Sequence, residues 1–173
     1  MFRFLAFAII LFTFSACKYS DEPKVFDNEN IHLEYPSYLN KNKQVYPQEN
    51  NVISAQNDYR DVYFFVADLG QKPGSNGFNI TFDNITKQLL TNVRDALLEQ
   101  DTSYTLSNGL TTRRAIISGI VASKNQEKRM LFFVNLYEDK QHNLYQLTSW
   151  IFRHKRSVWE NDLNSIANSF SVK

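Results

Sequence analysis

Of the side chains that could do chemistry, the chain carries one thiol, Cys17, and three imidazoles, His32, His142 and His154. A zinc site draws on clustered Cys, His or carboxylate ligands at short spacing. No two of these histidines have the helix or hairpin spacing of a ligand pair, and no second cysteine exists to complete a set. Isolated imidazoles of this kind serve as surface or packing groups, whatever their aptitude for proton transfer. A nucleophilic serine needs the sharp strand-to-helix elbow Gly-x-Ser-x-Gly. Ser118-Gly119 lacks that pattern and sits inside a predicted strand, where Gly119 instead marks close packing or a bulge. Glu138 and Asp139 adjoin in a predicted hairpin turn, where solvation accounts for them. KPGSNG, residues 72–77, lacks the Gly-Lys-Ser/Thr ending of a phosphate-binding loop. Asp-rich calcium loops are absent. The side chains thus predict no catalytic centre, no metal and no cofactor.

Cys17 has the one distinctive setting. LFTFSACKYSDEP turns from wholly apolar to wholly polar at that residue. Upstream, Arg3 precedes an apolar run from Leu5 to Phe12, extended through Thr13 to Phe14, and the small residues Ser15 and Ala16 follow. This is the layout of a secretory signal peptide. The run falls short of the roughly 20 apolar residues that span a bilayer. Phe14-Ser15-Ala16-Cys17 resembles the lipobox of bacterial lipoproteins, with Phe14 where Leu is usual. The resemblance implies a diacylglycerol on the Cys17 thiol, cleavage between Ala16 and Cys17, and acylation of the new amino group. Such an anchor gains about 0.8 kcal/mol per buried CH₂ and holds stably with two or more chains. A free thiol, buried or reactive, and an intermolecular disulfide through the odd cysteine are the other readings of this position.

After Cys17, the polar stretch through Asn30 reads as a flexible tether, giving a signal peptide over 1–16, a lipidated tether over 17–30 and one globular domain over 31–173. Lys18 stands where many inner-membrane lipoproteins carry Asp, which points to the outer membrane. Ser20-Asp21-Glu22 resembles the acidic surface-export signals of some lipoproteins, although a solvated linker is the simpler account.

A formal net charge of +1 and the lack of a basic stripe argue against a nucleic-acid partner. Arg153, Lys155 and Arg156 form, with His154, a cationic cluster suited to anionic lipid head groups or an acidic partner. A solvated turn is the plainer reading of so short a cluster. Aromatic residues make up 14% of the chain, and Tyr35, Tyr38, Tyr46, Tyr59 and Tyr63 crowd its N-terminal half. They suit a binding cleft, but the core of a sheet covered on both sides accounts for them better.

The elements that position these groups follow from periodicity. Ile31–Tyr35 alternates and stops at Pro36, a half-buried strand; residues 51–55 make a short strand and 61–67 a strand apolar almost throughout. Ile85, Leu89, Val93 and Leu97 recur every four residues, with Leu90 and Ala96 beside them, and predict a helix over 82–99 capped by Thr81 or Asp83. Residues 113–123, 128–138 and 143–152 read as three long strands joined by short polar turns, hence an antiparallel meander. In the middle strand Met130, Phe132, Val134 and Leu136 share one face, and Leu131, Phe133 and Tyr137 the other. A strand apolar on both sides must be roofed on both sides. A second helix over 157–169 carries Trp159, Leu163 and Ile166 on one face, the series running on to Phe170, and Ser-Phe-Ser-Val after it reads as a short strand or as a segment that packs down. The fold class is therefore α+β, a central antiparallel sheet flanked by helices.

Tyr35-Pro36, Gly119 within IISGIVAS, Tyr145 to Trp150 and Ile166 to Phe170 give residues 31–173 a pattern that resembles PsbP/Mog1-like domains. The resemblance implies an α/β/α sandwich and an accessory or binding role rather than an enzymatic one. Together with the anchor signal, it predicts a lipid-anchored cell-envelope protein acting as a non-catalytic binding or assembly module for an envelope protein partner. The alternatives are an envelope hydrolase with a dispersed site that includes His142 or Arg113, or a small-ligand receptor.

Overall fold

A computed structural model describes residues 22–71, 76–123 and 126–173. Arg3 and the rest of the expected signal peptide, Cys17 and Lys18 lie outside the described residues, as do Lys72–Ser75 of the glycine-containing loop.

The expected meander is the heart of the molecule. β7 (Thr111–Ser123), β8 (Gln126–Glu138) and β9 (Asn143–Phe152) pair antiparallel in sequence order, with Ile117 opposite Phe132 and Phe132 opposite Trp150. β9 then pairs with β5 (Val62–Gln71), which pairs with β4 (Asn51–Asn57), and β3 (Asn40–Lys41) ends that side. β6 (Arg94–Thr105) forms the opposite edge against β7, completing a seven-stranded antiparallel sheet of order β3-β4-β5-β9-β8-β7-β6.

Alternation along β7, β8 and β9 sends side chains to two separate cores. On one face α1 (Gly77–Asn92) inserts Phe78 and Phe82 against Ala115, Ile117, Val134, Leu136 and Leu144. On the other, α2 (Arg156–Ser169) sets Leu163 and Ile166 into a larger cluster with Tyr35, Phe64, Phe133, Tyr137 and Leu147. A three-stranded sheet of β1 (Lys24–Asp27), β2 (Ile31–Tyr35) and β10 (Ser171–Val172) flanks α2, with β2 in the middle. Tyr137 is fully buried there; its hydroxyl donates to the Ala167 carbonyl at 2.8 Å and its ring stacks on Phe170 at 4.4 Å. The α+β architecture with a helix on each face is thus as the sequence predicts.

Two expectations are corrected. The first helix starts at Gly77 and stops at Asn92, not at Glu99. Its stripe holds through Leu89, but Val93 turns extended at the C-cap, and Leu97 lies 58% exposed on β6. A twelve-residue ladder against β7 outweighs the local helical pattern, because tertiary pairing overrides a propensity worth only tenths of a kcal/mol per residue. Neither Thr81 nor Asp83 caps this helix; Asn76 occupies the N-cap without a side-chain bond. Part of the stretch expected as a flexible tether is strand instead. Lys24–Asp27 pairs with β2, Phe26 opposite Leu33, and the Lys24 ammonium donates to the Leu39 carbonyl at 2.6 Å. Asn28 closes the turn between the strands, its Oδ1 accepting from the N–H groups of Asn30 and Ile31.

Gly119 has a packing role. A Cβ at this position would overlap Val93 Cγ1 and stand 3.1 Å from the Arg94 carbonyl oxygen and 3.3 Å from Ala96 Cα. The chain leaving α1 presses there onto β7, and the β6–β7 register shifts between Arg94 and Leu97. The expectation of a close backbone approach is met.

Candidate binding surface

Six spacings of about 4.8 Å make the large sheet about 29 Å wide, whereas a helix is about 10–12 Å across. One helix cannot roof that face. α1 covers the end bearing Val134, Leu136 and Leu144 and leaves the other end, toward Tyr63 and Trp150, partly open.

Register brings four rings together on this open part. Tyr63 of β5 sits opposite Trp150 of β9, and their rings stack 5.4 Å apart at 9°. Phe65, two residues on along β5, meets Trp150 edge-on at 6.2 Å. Tyr46 then stacks on Phe65 at 3.9 Å and 4°. Tyr46 is held from the loop side: a short 3₁₀ turn over Lys43–Val45, capped by Asn42, precedes it, and Asn51 Nδ2 donates to its carbonyl at 2.6 Å.

Beside this shelf lies a hollow of about 310 Å³ between α1 and the sheet. Ile85 and Leu89 of α1 and the rings of Tyr46, Phe65, Phe132 and Trp150 supply its apolar wall; Gln88, Asn92, Gln146 and Thr148 supply the polar groups. Among the described residues no charged one lines it. Gln146 Nε2 donates to Thr148 Oγ1 at 2.8 Å. Burial, reinforced by the nearby Asp58 carboxylate, pushes the Tyr63 phenol up to about 12, so it stays neutral. A roomier hollow of about 570 Å³ opens between Phe26 and the segment 41–54, on the other side of Tyr46. It is walled by β4 and the segment before it, with no α-helix among its described lining residues, and it mixes Lys41, Lys43 and Glu49 with amides, unlike the aromatic hollow.

The residues singled out by chemistry are dispersed. His32 stands 3.6 Å from both Asp27 and Glu34, and His154 stacks on Phe152 at 5.7 Å. His142 sits in the β8–β9 turn with φ of 63°, and its Nδ1 lies 2.8 Å from Glu138. Arg113 binds Asp101 at 2.7 Å and Asp83 at 2.9 Å while its guanidinium covers the Phe82 ring at 4.4 Å. It ties α1 to β6 and β7 and faces no hollow described above. Ser118 is buried inside β7. Among the described residues no group of three His, Cys, Asp or Glu could hold a metal ion.

Arg153, Lys155 and Arg156 are engaged within the chain. Arg153 Nη2 lies 3.1 Å from Glu99; Arg156 reaches Glu99 at 2.7 Å and Glu160 at 2.8 Å; Lys155 reaches Asp61 at 2.7 Å. The anionic-surface contact expected of them draws no support from this arrangement, because their charges are already met by carboxylates of β6, α2 and the β4–β5 turn.

The aromatic shelf is the feature that sequence reasoning missed. Tyr35 belongs to the core and Tyr38 packs against α2, but Tyr46 and Tyr63 build the shelf, and Tyr59 is 95% exposed in a turn. The usable signal was one amphipathic helix set against a meander apolar on both faces, too little cover for the second face.

Solved structures similar to this chain include the Ran-binding protein Mog1p of Saccharomyces cerevisiae, with a TM-score of 0.57 at 14% identity, covering 88% of this chain and 96% of that one. Cyanobacterial PsbP (CyanoP) from Synechocystis gives 0.61 at 12% identity, covering 88% and 94%. LpqN of Mycobacterium tuberculosis, involved in cell envelope biogenesis, gives 0.55 at 9% identity, covering 88% and 91%. No protein-family model and no curated protein matches the chain by sequence. Likeness across nearly the whole length of each neighbour shows that this chain has the Mog1/PsbP-like fold.

Proposed function

We propose that this chain is a lipid-anchored cell-envelope protein that works as a non-catalytic binding or assembly module, with the aromatic shelf as its docking face. The observation that carries the reading is the run of rings Tyr46, Phe65, Trp150 and Tyr63 beside an uncharged hollow that α1 leaves open. Binding sites of this kind are concave, mostly apolar and aromatic, with a few polar groups set among them. Two of the structural neighbours add support by their own roles: Mog1p is a Ran-binding protein, and LpqN is involved in cell envelope biogenesis.

The anchor rests on Cys17 at the end of the lipobox-like Phe14-Ser15-Ala16-Cys17. Among the described residues no helix is long and apolar enough to cross a membrane. A thioether-linked diacylglycerol would do the holding, and Lys18 at the following position favours the outer membrane. Metabolic labelling with an alkyne fatty acid tests this part: label on the wild type and none on Cys17→Ser is expected, and equal label on both removes the anchor. The non-catalytic part is tested with ester, peptide and glycoside substrates. Turnover that His142→Ala or Arg113→Ala abolishes would overturn it.

A further inference from the structure

We propose that the hollow beside the shelf binds a neutral saccharide, stacked on Trp150 and held by the amides around it. This rests on the reading of the shelf as the docking face and names what docks there.

The argument is one of matching surfaces. The hollow combines ring faces with neutral amides and a hydroxyl, and among the described residues no ionic group lines it. A charged ligand would lose hydration there without gaining a counter-ion, which is costly. That disfavours phosphorylated or carboxylated ligands, nucleotides included. A purely apolar ligand would cover Gln88, Asn92, Gln146 and Thr148 and strip their water without replacing the hydrogen bonds. A pyranose ring meets both demands. Its axial C–H bonds present an apolar face to an aromatic ring, whose π face is negative, and its equatorial hydroxyls both donate and accept. Primary amides also do both, so Gln88, Asn92 and Gln146 can satisfy neighbouring hydroxyls of either polarity.

Geometry supports the assignment. The volume of about 310 Å³ lies at the small end of the range for ligand sites, about 300–1,000 Å³. Trp150 lines the hollow and also stacks with Tyr63 outside it, so the ring surface continues across from β9 to β5 beyond the first sugar. A chain of sugars would find a second platform there, and oligosaccharides should bind more tightly than monosaccharides.

Trp150 is itself the reporter. The other tryptophan, Trp159, lies on the α2 side against Tyr38, so Trp159→Phe leaves a single indole at the site. We would titrate this single-tryptophan form of the full-length chain, in a detergent without a sugar headgroup, with neutral malto-, cello- and chito-oligosaccharides. Uronate-containing oligosaccharides and an apolar peptide serve as the other arms. The expected result is a saturable change in Trp150 emission with at least one neutral oligosaccharide. Calorimetry on otherwise wild-type protein should show binding weakened at least about tenfold by Trp150→Ala, the loss typical of a truncated aromatic anchor. Gln88→Ala and Asn92→Ala, on the exposed side of α1, should weaken it too while leaving the fold intact. Binding that survives all three substitutions, or that prefers the uronate series, overturns the proposal. No sugar binding, with the peptide held and released by Trp150→Ala, overturns the saccharide but keeps the shelf as a docking face. If Trp150→Ala alters no binding to any arm, the saccharide and the docking reading both fall.

Discussion

Replacing Gly119 by Ala tests how the chain turns from α1 into the edge strand β6. Gly119 has no positive φ, so Ala fits the backbone and gains about 0.4–1 kcal/mol by restricting the unfolded chain. Against this, the new methyl overlaps Val93 Cγ1 and crowds the Arg94 carbonyl and Ala96 Cα at 3.1 and 3.3 Å. Overpacking of this kind costs about 1–3 kcal/mol. The net is a loss of about 1–2 kcal/mol, and each kcal/mol lowers Tm by about 2–4 °C in a domain of this size. Val93→Ala alone removes two buried carbons, about 1.6 kcal/mol at 0.8 per group. The double variant should be less damaged than the sum by about 1 kcal/mol, since Val93→Ala deletes the atom the new methyl strikes. The two backbone contacts remain, so rescue is partial. Urea unfolding with unchanged m-values reads the four corners of this cycle. Additivity within about 0.5 kcal/mol, or a stabilised Gly119→Ala, refutes the reasoning.

Three further outcomes follow from the packing and the ion pairs. Tyr137→Phe leaves the Ala167 carbonyl without its partner and should cost about 1–3 kcal/mol in chemical denaturation. The Arg156 guanidinium holds the Glu160 carboxyl below its ordinary value of 4.5. A carboxyl depressed in the folded state stabilises above the unfolded value and loses that contribution as pH falls through the folded one. Glu160→Gln should therefore flatten the acid limb of the stability–pH curve below about pH 4.5 and leave its shape near neutrality unchanged. Leu97→Lys should change stability by no more than about 0.5 kcal/mol in thermal unfolding, as exposed substitutions do. A loss of several kcal/mol would restore Leu97 to a buried helical stripe.

The parts of the fold legible in sequence are those whose pattern and pairing agree. β7, β8 and β9 are long apolar runs joined by short turns, so their order and the need for cover on both faces could be read directly. α2 carries its apolar series over its full length. β6 was hidden because Val93 and Leu97 extend the spacing of Ile85 and Leu89 by accident of composition, and only the unfilled edge of β7 decides their state. β1 was hidden because four residues of strand carry too little alternation to stand out from a polar linker. The shelf depended on comparing the breadth of a sheet with that of one helix, and on a register that sets Tyr63 against Trp150. No single stretch of sequence contains that fact. The cationic cluster shows the converse: Arg153, Lys155 and Arg156 are contiguous in sequence, but their counter-ions Glu99, Asp61 and Glu160 come from three places.

The small sheet sets a condition on when this molecule can finish assembling. Ser171 and Val172 complete β2 by pairing with His32 and Ile31, and contacts between residues roughly 140 positions apart form late because the intervening loop must close first. Lys173 adds its own bonds, through its N–H to the Asn30 carbonyl and its ammonium to the Asn28 carbonyl and Asp27. β2 therefore waits for a segment made roughly 140 residues after it. Whatever else has already folded, the small sheet stays one strand short until residues 171–173 reach it.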